Sequence, residues 1–256
     1  MAKEKRDNEK IWDNIWNEDA KYKSYSPNNR YASYLIENAL KNVDPKKIKK
    51  VYDMGCGDGW RTSYLTTIFR NANIIGMDIS KEGVEIANKK YGNGKNLRFE
   101  VADIEKLKSK EEVDLIVSLE VLEHLEDWEN TLKIWADINP KYMLLSFPAI
   151  RKLTKFDKKV GHFRHFKRCE VENVLKTIGY KKVKTYYAGF PAFWFIMVLT
   201  LELVSNGLLP ETYDLLIKNK MTLKDKIISN ITYFIIRFLS FKQIGCQFVG
   251  VFVKEE

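Results

Sequence analysis

Three glycines and an acid lie close together near residue 55. Asp53 is followed at alternate positions by Gly55, Gly57 and Gly59. Glycine permits a tight turn and lets the backbone approach a ligand, and a helix that begins after such a turn offers free N–H groups to that ligand. The dinucleotide pattern G-x-G-x-x-G would require a glycine at position 60, which is tryptophan here. The segment therefore predicts a cofactor site and argues against NAD or FAD.

Two further acids follow apolar runs later in the chain. Asp78 comes 19 residues after Gly59, where a carboxylate can accept hydrogen bonds from both hydroxyls of a ribose. Asp103 follows the next apolar run, where it can meet an adenine amino group. The spacing of these acids predicts a nucleoside between them.

All three histidines of the chain lie in two short segments. His124 ends the sequence E-V-L-E-H, in which Glu120 and Glu123 precede it with i, i+3, i+4 spacing, which predicts one face of a helical turn. His162 and His165 belong to G-H-F-R-H-F. Imidazoles and carboxylates accept protons, so His124, His162, His165 and Glu120 are the candidate catalytic residues.

The elements that must position these residues alternate between strand and helix. Short apolar runs predict strands at 51–55, 73–78, 97–103, 113–120, 142–148, 180–188 and 246–254. Helical patterns occupy about 59–70, 80–91, 127–138 and 167–178, the last ending at Gly179, with a shorter helix near 105–110. This alternation predicts a doubly wound α/β sheet whose last two strands pair antiparallel at the edge.

The combination of motifs resembles the class I S-adenosylmethionine-dependent methyltransferase family. The resemblance rests on D-M-G-C-G-D-G, G-M-D, V-A-D-I and V-D-L-I-V-S-L-E, and it spans about residues 48–188. It implies a Rossmann-like, seven-stranded sheet of order 3-2-1-4-5-7-6. It also implies that Asp53 and the glycine loop hold the methionine moiety, Asp78 the ribose, and Asp103 with Ile104 the adenine. The full predicted set for S-adenosyl-L-methionine is Asp53, Gly55, Cys56, Gly57, Gly59, Asp78, Ile79, Asp103, Ile104 and Leu119.

The two histidine segments carry a narrower resemblance. E-V-L-E-H is similar to a motif of quinone-biosynthesis O-methyltransferases and small-RNA 2′-O-methyltransferases, in which the trio equivalent to Glu120, Glu123 and His124 is associated with a divalent metal. Relatives with similar sequences bind no metal, so both alternatives stay open. G-H-F-R-H-F resembles the acceptor-side loop of many small-molecule methyltransferases.

The predicted organisation is an N-terminal helical cap at 1–45 and a methyltransferase domain at 46–256. Within that domain, 189–243 form a helical insertion between the last two strands, with apolar runs at 188–201 and 227–241. Neither run reaches the roughly 18–20 uncharged residues that would predict a membrane-spanning helix. A hydrophobic lid, a dimer contact and an interfacial membrane anchor remain alternatives.

The basic charge of the chain is local. Of a net charge of +9, all falls within 151–184, which holds twelve Lys and Arg against three acids. Basic residues beside apolar ones favour an anionic membrane surface. A protein coated for general binding to nucleic acid would carry its charge more widely.

The remaining composition restricts the class of protein. An apolar content of 45% excludes disorder, and three cysteines far apart in sequence predict neither a disulfide framework nor a zinc ribbon. The first residues lack the apolar stretch of a secretory signal. The expected location is cytoplasmic, with peripheral contact at the membrane as an extension.

The function predicted from the sequence is S-adenosylmethionine-dependent methylation of a small, hydrophobic or lipid-linked acceptor, at oxygen. One alternative is an RNA 2′-O-methyltransferase, and another is a non-catalytic scaffold of the same fold that docks on membranes. The acceptor and the oligomeric state are left open by the sequence.

Overall fold

The computed structural model describes residues 10, 12, 13, 16, 25–92, 94, 96–206 and 221–255. In this part of the chain, seven strands form one sheet of order β3-β2-β1-β4-β5-β7-β6, which confirms the predicted order. The strands are β1 (Lys50–Met54), β2 (Asn73–Asp78), β3 (Leu97–Val101), β4 (Leu115–Leu119), β5 (Tyr142–Pro148), β6 (Tyr180–Ala188) and β7 (Gln247–Lys254).

The first five strands run parallel, and the edge of the sheet is antiparallel. β7 lies between β5 and β6 and pairs antiparallel with both. All five residues of β4 are buried, as expected for a central strand covered on both faces. The carboxyl ends of β1, β2 and β4 therefore meet at one edge, where ligands bind in open α/β sheets.

Eight α-helices have bounds that the structure describes: α1 (Pro27–Ala39), α2 (Trp60–Ile68), α3 (Lys81–Tyr91), α4 (Trp128–Asp137), α5 (Lys155–Lys159), α6 (Glu170–Thr177), α7 (Ala192–Ser205) and α8 (Leu223–Leu239). Several begin at a side-chain cap that satisfies free N–H groups of the first turn. Ser80 accepts from the N–H of Gly83 at the start of α3, and Asp127 accepts from that of Asn130 at the start of α4.

Two hydrophobic cores lie on opposite faces of the sheet. One contains Tyr31 and Leu35 of α1, Leu65 of α2, Phe193 of α7 and Ile236 of α8. The other is built from α4 and α6 and includes the fully buried Trp135, together with Leu132, Val171 and Leu175. Each apolar strand face is thus covered by helices, which confirms the doubly wound α/β architecture.

The structure corrects three details of the predicted elements. The helix expected near 105–110 is absent from the described chain, where this segment contains only a turn after Asp103. A single turn fixes several dihedral angles for one hydrogen bond, so a helix this short needs packing that the Lys-rich segment lacks. The third strand ends at Val101 rather than at 103. The short helix α5, capped by Thr154, was not predicted.

The predicted insertion between the last two strands contains α7 and α8, separated by 207–220, which lie outside the described residues. Among the described helices, none combines the length and the hydrophobicity needed to span a bilayer. The division of the chain at residue 45 stays a prediction, although α1 packs against β6, β7 and α8.

Candidate active site

The glycine loop links β1 to α2 at the carboxyl edge of the sheet. Gly55, Gly57 and Gly59 all have positive φ angles, of 81°, 53° and 77°. The N–H groups of Gly55 and Cys56 both donate to the carbonyl of Met77 in β2, at 2.8 and 2.9 Å. The turn is therefore locked to the neighbouring strand, with the start of α2 directly behind it.

Asp78 lies at the end of β2 and faces the same loop. Its Oδ2 accepts from the N–H of Gly57 at 2.8 Å, and its Oδ1 accepts from the N–H of Ser80 at 2.9 Å. Burial raises the pKa of this carboxyl, and the two N–H groups oppose that shift. Its position next to the glycine loop is the one predicted for the ligand of a ribose.

The other residues predicted for the nucleoside lie along the same edge. Asp103 follows β3, and its Oδ1 accepts from the N–H of Glu105 at 3.1 Å. Ile104 is buried and its carbonyl accepts from Nε1 of Trp135 at 2.9 Å, while Leu119 ends β4 and Ile79 is half-buried after β2. The structure thus brings the predicted cofactor residues to neighbouring strand ends.

Asp53 differs from the other acids because it lies beneath the loop. It is 2% exposed, and the hydroxyl of Thr62 donates to its Oδ2 at 2.6 Å. Burial raises the pKa of Asp53 to about 6. The carboxyl therefore ties β1 to α2 and supports the loop from below.

The three histidines form one cluster although they come from two loops. The ring centroids of His124 and His162 are 4.5 Å apart, and those of His162 and His165 are 5.2 Å apart. Burial lowers the pKa of His124 and His165 to about 4 each and that of His162 to about 3. All three imidazoles are therefore neutral near pH 7.

The hydrogen bonds of the cluster fix which ring nitrogens carry protons. A carbonyl only accepts, so Nδ1 of His165, 3.3 Å from the carbonyl of Arg151, carries a proton and its Nε2 does not. That Nε2 lies 2.9 Å from Nδ1 of His162, which must donate and thereby leaves Nε2 of His162 unprotonated. By the same argument, Nδ1 of His124 donates to the carbonyl of Gly161 at 3.2 Å. All three Nε2 atoms are therefore unprotonated, and that of His165 already accepts from His162.

The two glutamates of E-V-L-E-H point in different directions. Residues Leu122–His124 form a 3-10 turn that leaves out Glu120, whose φ of 61° turns it toward the sheet. There its Oε1 accepts from Ser146 and Gln247, both at 2.7 Å. The prediction that Glu120 shares one helical face with the other two is wrong, because those bonds hold its carboxylate against β5 and β7.

Glu123 is fully buried beside the histidines. Neither carboxylate oxygen has a hydrogen-bond partner on another described residue, and Oε1 lies 3.9 Å from Nε2 of His124. Burial raises the pKa of this carboxyl well above its usual range, and the nearby Glu120 adds to the effect. Two described groups have the spacing of a metal site, Glu123 with His124 and His162, and Asp157 with His162 and His165, and neither is the trio predicted from sequence.

A buried ion pair next to the histidines was not predicted. Both terminal nitrogens of Arg151 donate to Asp157, at 2.6 and 2.9 Å, and this carboxylate also accepts from the N–H and the hydroxyl of Thr154. These bonds hold the pKa of Asp157 well below its usual range. The spacing T-x-x-D is a capping-box signal that would have located the turn, although not the arginine.

Two indoles of the N-terminal segment join the cofactor loop to the histidine cluster. Trp16 lies so close to Gly57 that a Cβ at that glycine would be 2.5 Å from the indole. Trp12 stacks on Trp16 with centroids 5.5 Å apart and contacts the ring of His124 at 4.8 Å. Asp13, between them in sequence, accepts from the hydroxyl of Ser80 at 2.6 Å. The sequence predicted a cap here, but not which residues reach the site.

Comparisons with known proteins identify a methyltransferase domain in the chain. Residues 52–138 match the family model of a methyltransferase domain. A ubiquinone biosynthesis O-methyltransferase of Pelagibacter ubique (strain HTCC1062) is 28% identical over 156 residues, which cover 57% of this chain and 63% of that protein. The chain spans less than two thirds of the length of the first curated relatives that it matches.

Solved structures share the fold. The cyclase SpnF superposes with a TM-score of 0.60 at 12% identity, over 89% of this chain and 83% of that one. Phosphoethanolamine N-methyltransferase 2 of Haemonchus contortus, solved with S-adenosyl-L-methionine, gives 0.58 at 14% identity, over 87% of this chain and 53% of that one. At such identities the likeness concerns the fold alone. The matched methyltransferase domain, the strand order and the glycine loop agree with the resemblance to the class I S-adenosylmethionine-dependent methyltransferase family.

Proposed function

We propose that the protein transfers the methyl group of S-adenosyl-L-methionine to an oxygen of a small, hydrophobic or lipid-linked acceptor. The observation that carries this proposal is that the glycine loop lies close to the segment that carries His124. A Cβ at Gly55 of the glycine loop would lie 2.5 Å from Val121, in the segment that carries His124, so a cofactor at the loop and an acceptor at the histidines would be neighbours. Methyl transfer is an in-line displacement that depends on such positioning.

In this mechanism the acceptor oxygen attacks the methyl carbon while the bond from that carbon to the sulfonium breaks. The acceptor loses its hydroxyl proton, and the unprotonated Nε2 of His162 can take it. His165 holds His162 in the required tautomer through the bond between Nε2 and Nδ1. S-adenosylhomocysteine and the methyl ether are the products, and the proton leaves the imidazole afterwards.

The choice of oxygen as acceptor atom has two supports. A hydroxyl must lose a proton during methylation, and Nε2 of His124 and of His162 carries no proton and can accept one. The relative from Pelagibacter ubique carries the name O-methyltransferase. The apolar helices α7 and α8 beside the domain support a hydrophobic acceptor. The same helices count against RNA, which the sequence had left as an alternative.

The cyclase SpnF shows that this fold does not by itself establish methyl transfer. The test is to incubate the protein with S-adenosyl-L-methionine and a catechol, with or without a prenyl chain, and to measure S-adenosylhomocysteine and the methyl ether. We expect kcat/KM to be at least about tenfold higher for the prenylated catechol, or about 1.4 kcal/mol. Cofactor binding without methylated product would reject the acceptor class.

Asp78→Ala tests the cofactor site in the same assay. Loss of the carboxylate should weaken S-adenosyl-L-methionine binding by at least about tenfold in calorimetry. Asp44→Ala is the matched control, because Asp44 is exposed at the opposite end of the sheet. Unchanged affinity in Asp78→Ala would remove the ribose assignment. A wild-type protein that binds no cofactor would leave the scaffold alternative.

Binding of a divalent metal is a second role for the histidine cluster, and the buried carboxylate of Glu123 favours it. One carboxylate and two imidazoles are donors suited to such an ion, and Glu123, His124 and His162 would hold it. A bound metal would lower the pKa of an acceptor hydroxyl. Dialysis against a chelator tests this role. Loss of activity that Mg²⁺ or Mn²⁺ restores supports it, and unchanged activity together with no metal by elemental analysis rejects it.

A further inference from the structure

Helix α8 has its apolar face turned away from the protein. Of its described side chains, the buried ones are Ser229 and Ile236. The exposed large apolar side chains of this helix are Leu223, Ile227, Ile228, Ile231, Phe234, Ile235, Phe238 and Leu239, with exposures from 38% to 75%. At 100° per residue these eight positions lie on one broad side of the helix. Burial against the domain does not account for such a face, which requires a partner.

Helix α7 and the loop after α8 extend this apolar surface. Phe195 and Leu199, one helical turn apart on α7, are 56% and 55% exposed, and α7 packs against both α8 and α5. Phe241 and Ile244 follow α8 and are about 60% exposed. We call these residues and the eight of α8 the outward apolar face.

Cations border the outward apolar face where it meets the domain. The guanidinium of Arg237 lies 4.5 Å from the ring centre of Tyr34, and Nζ of Lys242 lies 4.7 Å from the same ring. Lys226 is placed in the same way over Tyr25, at 5.4 Å. Long basic side chains at the edge of an apolar stripe are typical of helices that lie in a membrane interface.

A cavity of about 550 Å³ lies between α7 and the loop that leads to α5. Basic residues line one side, Arg151, Lys152 and Lys155, and apolar residues of α7 line the other, Trp194 and Val198. The guanidinium of Arg151 is already paired with Asp157, whereas Lys152 and Lys155 are exposed. The cavity thus offers positive charge next to an apolar wall, as a phosphate headgroup with its acyl chains requires.

We propose that the outward apolar face and this cavity form one docking surface for an anionic phospholipid membrane. The charge of this surface favours a membrane over a second copy of the chain. Segments 151–160 and 221–244 contain nine Lys and Arg but two acids, and both acids are engaged, Asp157 with Arg151 and Asp225 with the cap at Thr222. A second copy of the chain would bring these cations against one another, whereas anionic lipids neutralise them. A nucleic acid would neutralise them as well, but it would leave the apolar side chains in water.

The proposed docking surface also lies next to the histidine cluster. The carbonyl of Arg151 accepts from His165, so the residue that lines the headgroup cavity also holds the histidine cluster. A lipid-linked acceptor that enters from the membrane would meet both. Docking itself does not require methyl transfer and is measured without cofactor, so failure of one proposal leaves the other intact.

The experiment is co-sedimentation of the full chain with vesicles of phosphatidylcholine, or of phosphatidylcholine containing phosphatidylglycerol. We expect binding to the anionic vesicles alone. The double variant Lys152→Glu/Lys155→Glu should bind at least about tenfold more weakly, since each basic residue near an anionic surface contributes about fivefold. Lys46→Glu/Lys47→Glu is the matched control, because both lysines are exposed on a turn before β1, at the opposite end of the sheet.

Phe234→Ser/Phe238→Ser tests the apolar part. Both rings are 62% exposed, so the fold should tolerate the change while binding falls at least about tenfold. Val101→Ser, at a position 50% exposed on β3, is the control. Equal binding to both vesicle types, or an equal loss in both lysine variants, would overturn the proposal. So would a dimer in sedimentation that Phe234→Ser/Phe238→Ser converts to a monomer without affecting vesicle binding.

Discussion

Gly59 occupies a position in the cofactor loop that has no room for a Cβ atom. It is the residue before α2, its φ is 77°, and a Cβ there would lie 2.7 Å from both Ala87 and Phe99. Gly59→Ala would therefore combine a left-handed backbone with a steric overlap inside the core. We expect the free energy of unfolding to fall by about 2 kcal/mol or more. Denaturant unfolding measures this change.

Gly94→Ala is the matched control for that substitution. At Gly94 the nearest atom to an added Cβ is 3.8 Å away, and the residue is exposed. We expect its unfolding free energy to stay within about 0.5 kcal/mol of the wild type. Equal effects of the two substitutions would show that neither the dihedral angle nor the crowding at Gly59 matters.

The pKa of His162 sets the pH dependence of the proposed reaction. Burial lowers that pKa to about 3, so the proton-accepting form prevails far below the ordinary value of 6.5. As the pH falls, kcat/KM should hold through pH 5 and decline only below about pH 4. His162→Gln should lower kcat about 100-fold while the KM for S-adenosyl-L-methionine changes little.

Lys167→Gln, an exposed change in the same loop, is the control for the histidine variant. It should alter neither kcat nor the pH profile. An acid limb centred near pH 6.5, or a His162→Gln enzyme of normal kcat, would show that His162 is not the base.

At the level of residues, the sequence predicted which residues end the strands at the site better than it predicted where their side chains point. Glycines with positive φ and an acid at the end of a strand depend on local backbone, so Gly57 and Asp78 lie at the strand ends where the sequence predicted them. Glu120 was misplaced because its rotation toward Ser146 and Gln247 depends on strands distant in sequence. The pairing of Arg151 with Asp157 was missed because arginines on a basic segment usually point to solvent.

Trp16 covers the glycine loop at the end of β1. Trp16 packs on Gly57 and also lies near Gly83, where an added Cβ would be 3.0 Å from the indole. Because the resemblance assigns the same glycine loop to the cofactor, the indole and the cofactor compete for this surface. Trp16→Ala should bind S-adenosyl-L-methionine at least about threefold more tightly in calorimetry, because no ring must first be displaced.

Trp16→Phe keeps an aromatic ring and should lie between the wild type and Trp16→Ala. In the wild type, cofactor binding should also change the tryptophan fluorescence, and most of that change should vanish in Trp16→Phe. Weaker cofactor binding by Trp16→Ala would mean that the indole holds the cofactor instead of competing with it.

Elements were predicted to within a few residues where burial is continuous. β2 and β5 have the predicted bounds because each is a nearly continuous apolar run. The helix near 105–110 was wrong because a hydrophilic segment carries no packing signal. The apolar runs predicted the two helices of the insertion, but they did not predict whether the apolar face of each helix points toward the domain or away from it. The outward face of α8 depends on what α1 and the sheet already cover.

At the scale of the whole molecule, the strand order came from the resemblance to a family and not from the pattern of each strand. The alternation of strands and helices predicted a parallel sheet, but several orders satisfy that pattern. The fold shows where the basic segment found in the sequence lies. Part of the basic segment lines the cavity beside α7, next to the apolar helices.

Asp53 connects the stability of the whole molecule to its cofactor site. The pKa of Asp53 is about 6 in the folded protein, above its ordinary value of 3.8, because the carboxyl is buried. A raised folded pKa favours the folded state fully below about pH 3.8, and this contribution is lost as the pH rises through 6. The wild type therefore carries a buried charge at pH 7 that costs about 2 to 3 kcal/mol.

Asp53→Asn removes that charge and keeps an oxygen to accept from Thr62. Relative to the wild type, its unfolding free energy in urea should be nearly equal at pH 4 and about 2 kcal/mol higher at pH 7. Thr62→Val should act oppositely, because loss of the hydroxyl removes a bond that stabilises the ionised carboxyl. A difference independent of pH would contradict the assignment. If Asp53→Asn is more stable at pH 7 yet binds cofactor at least about tenfold more weakly, the buried charge is retained for binding at the expense of stability.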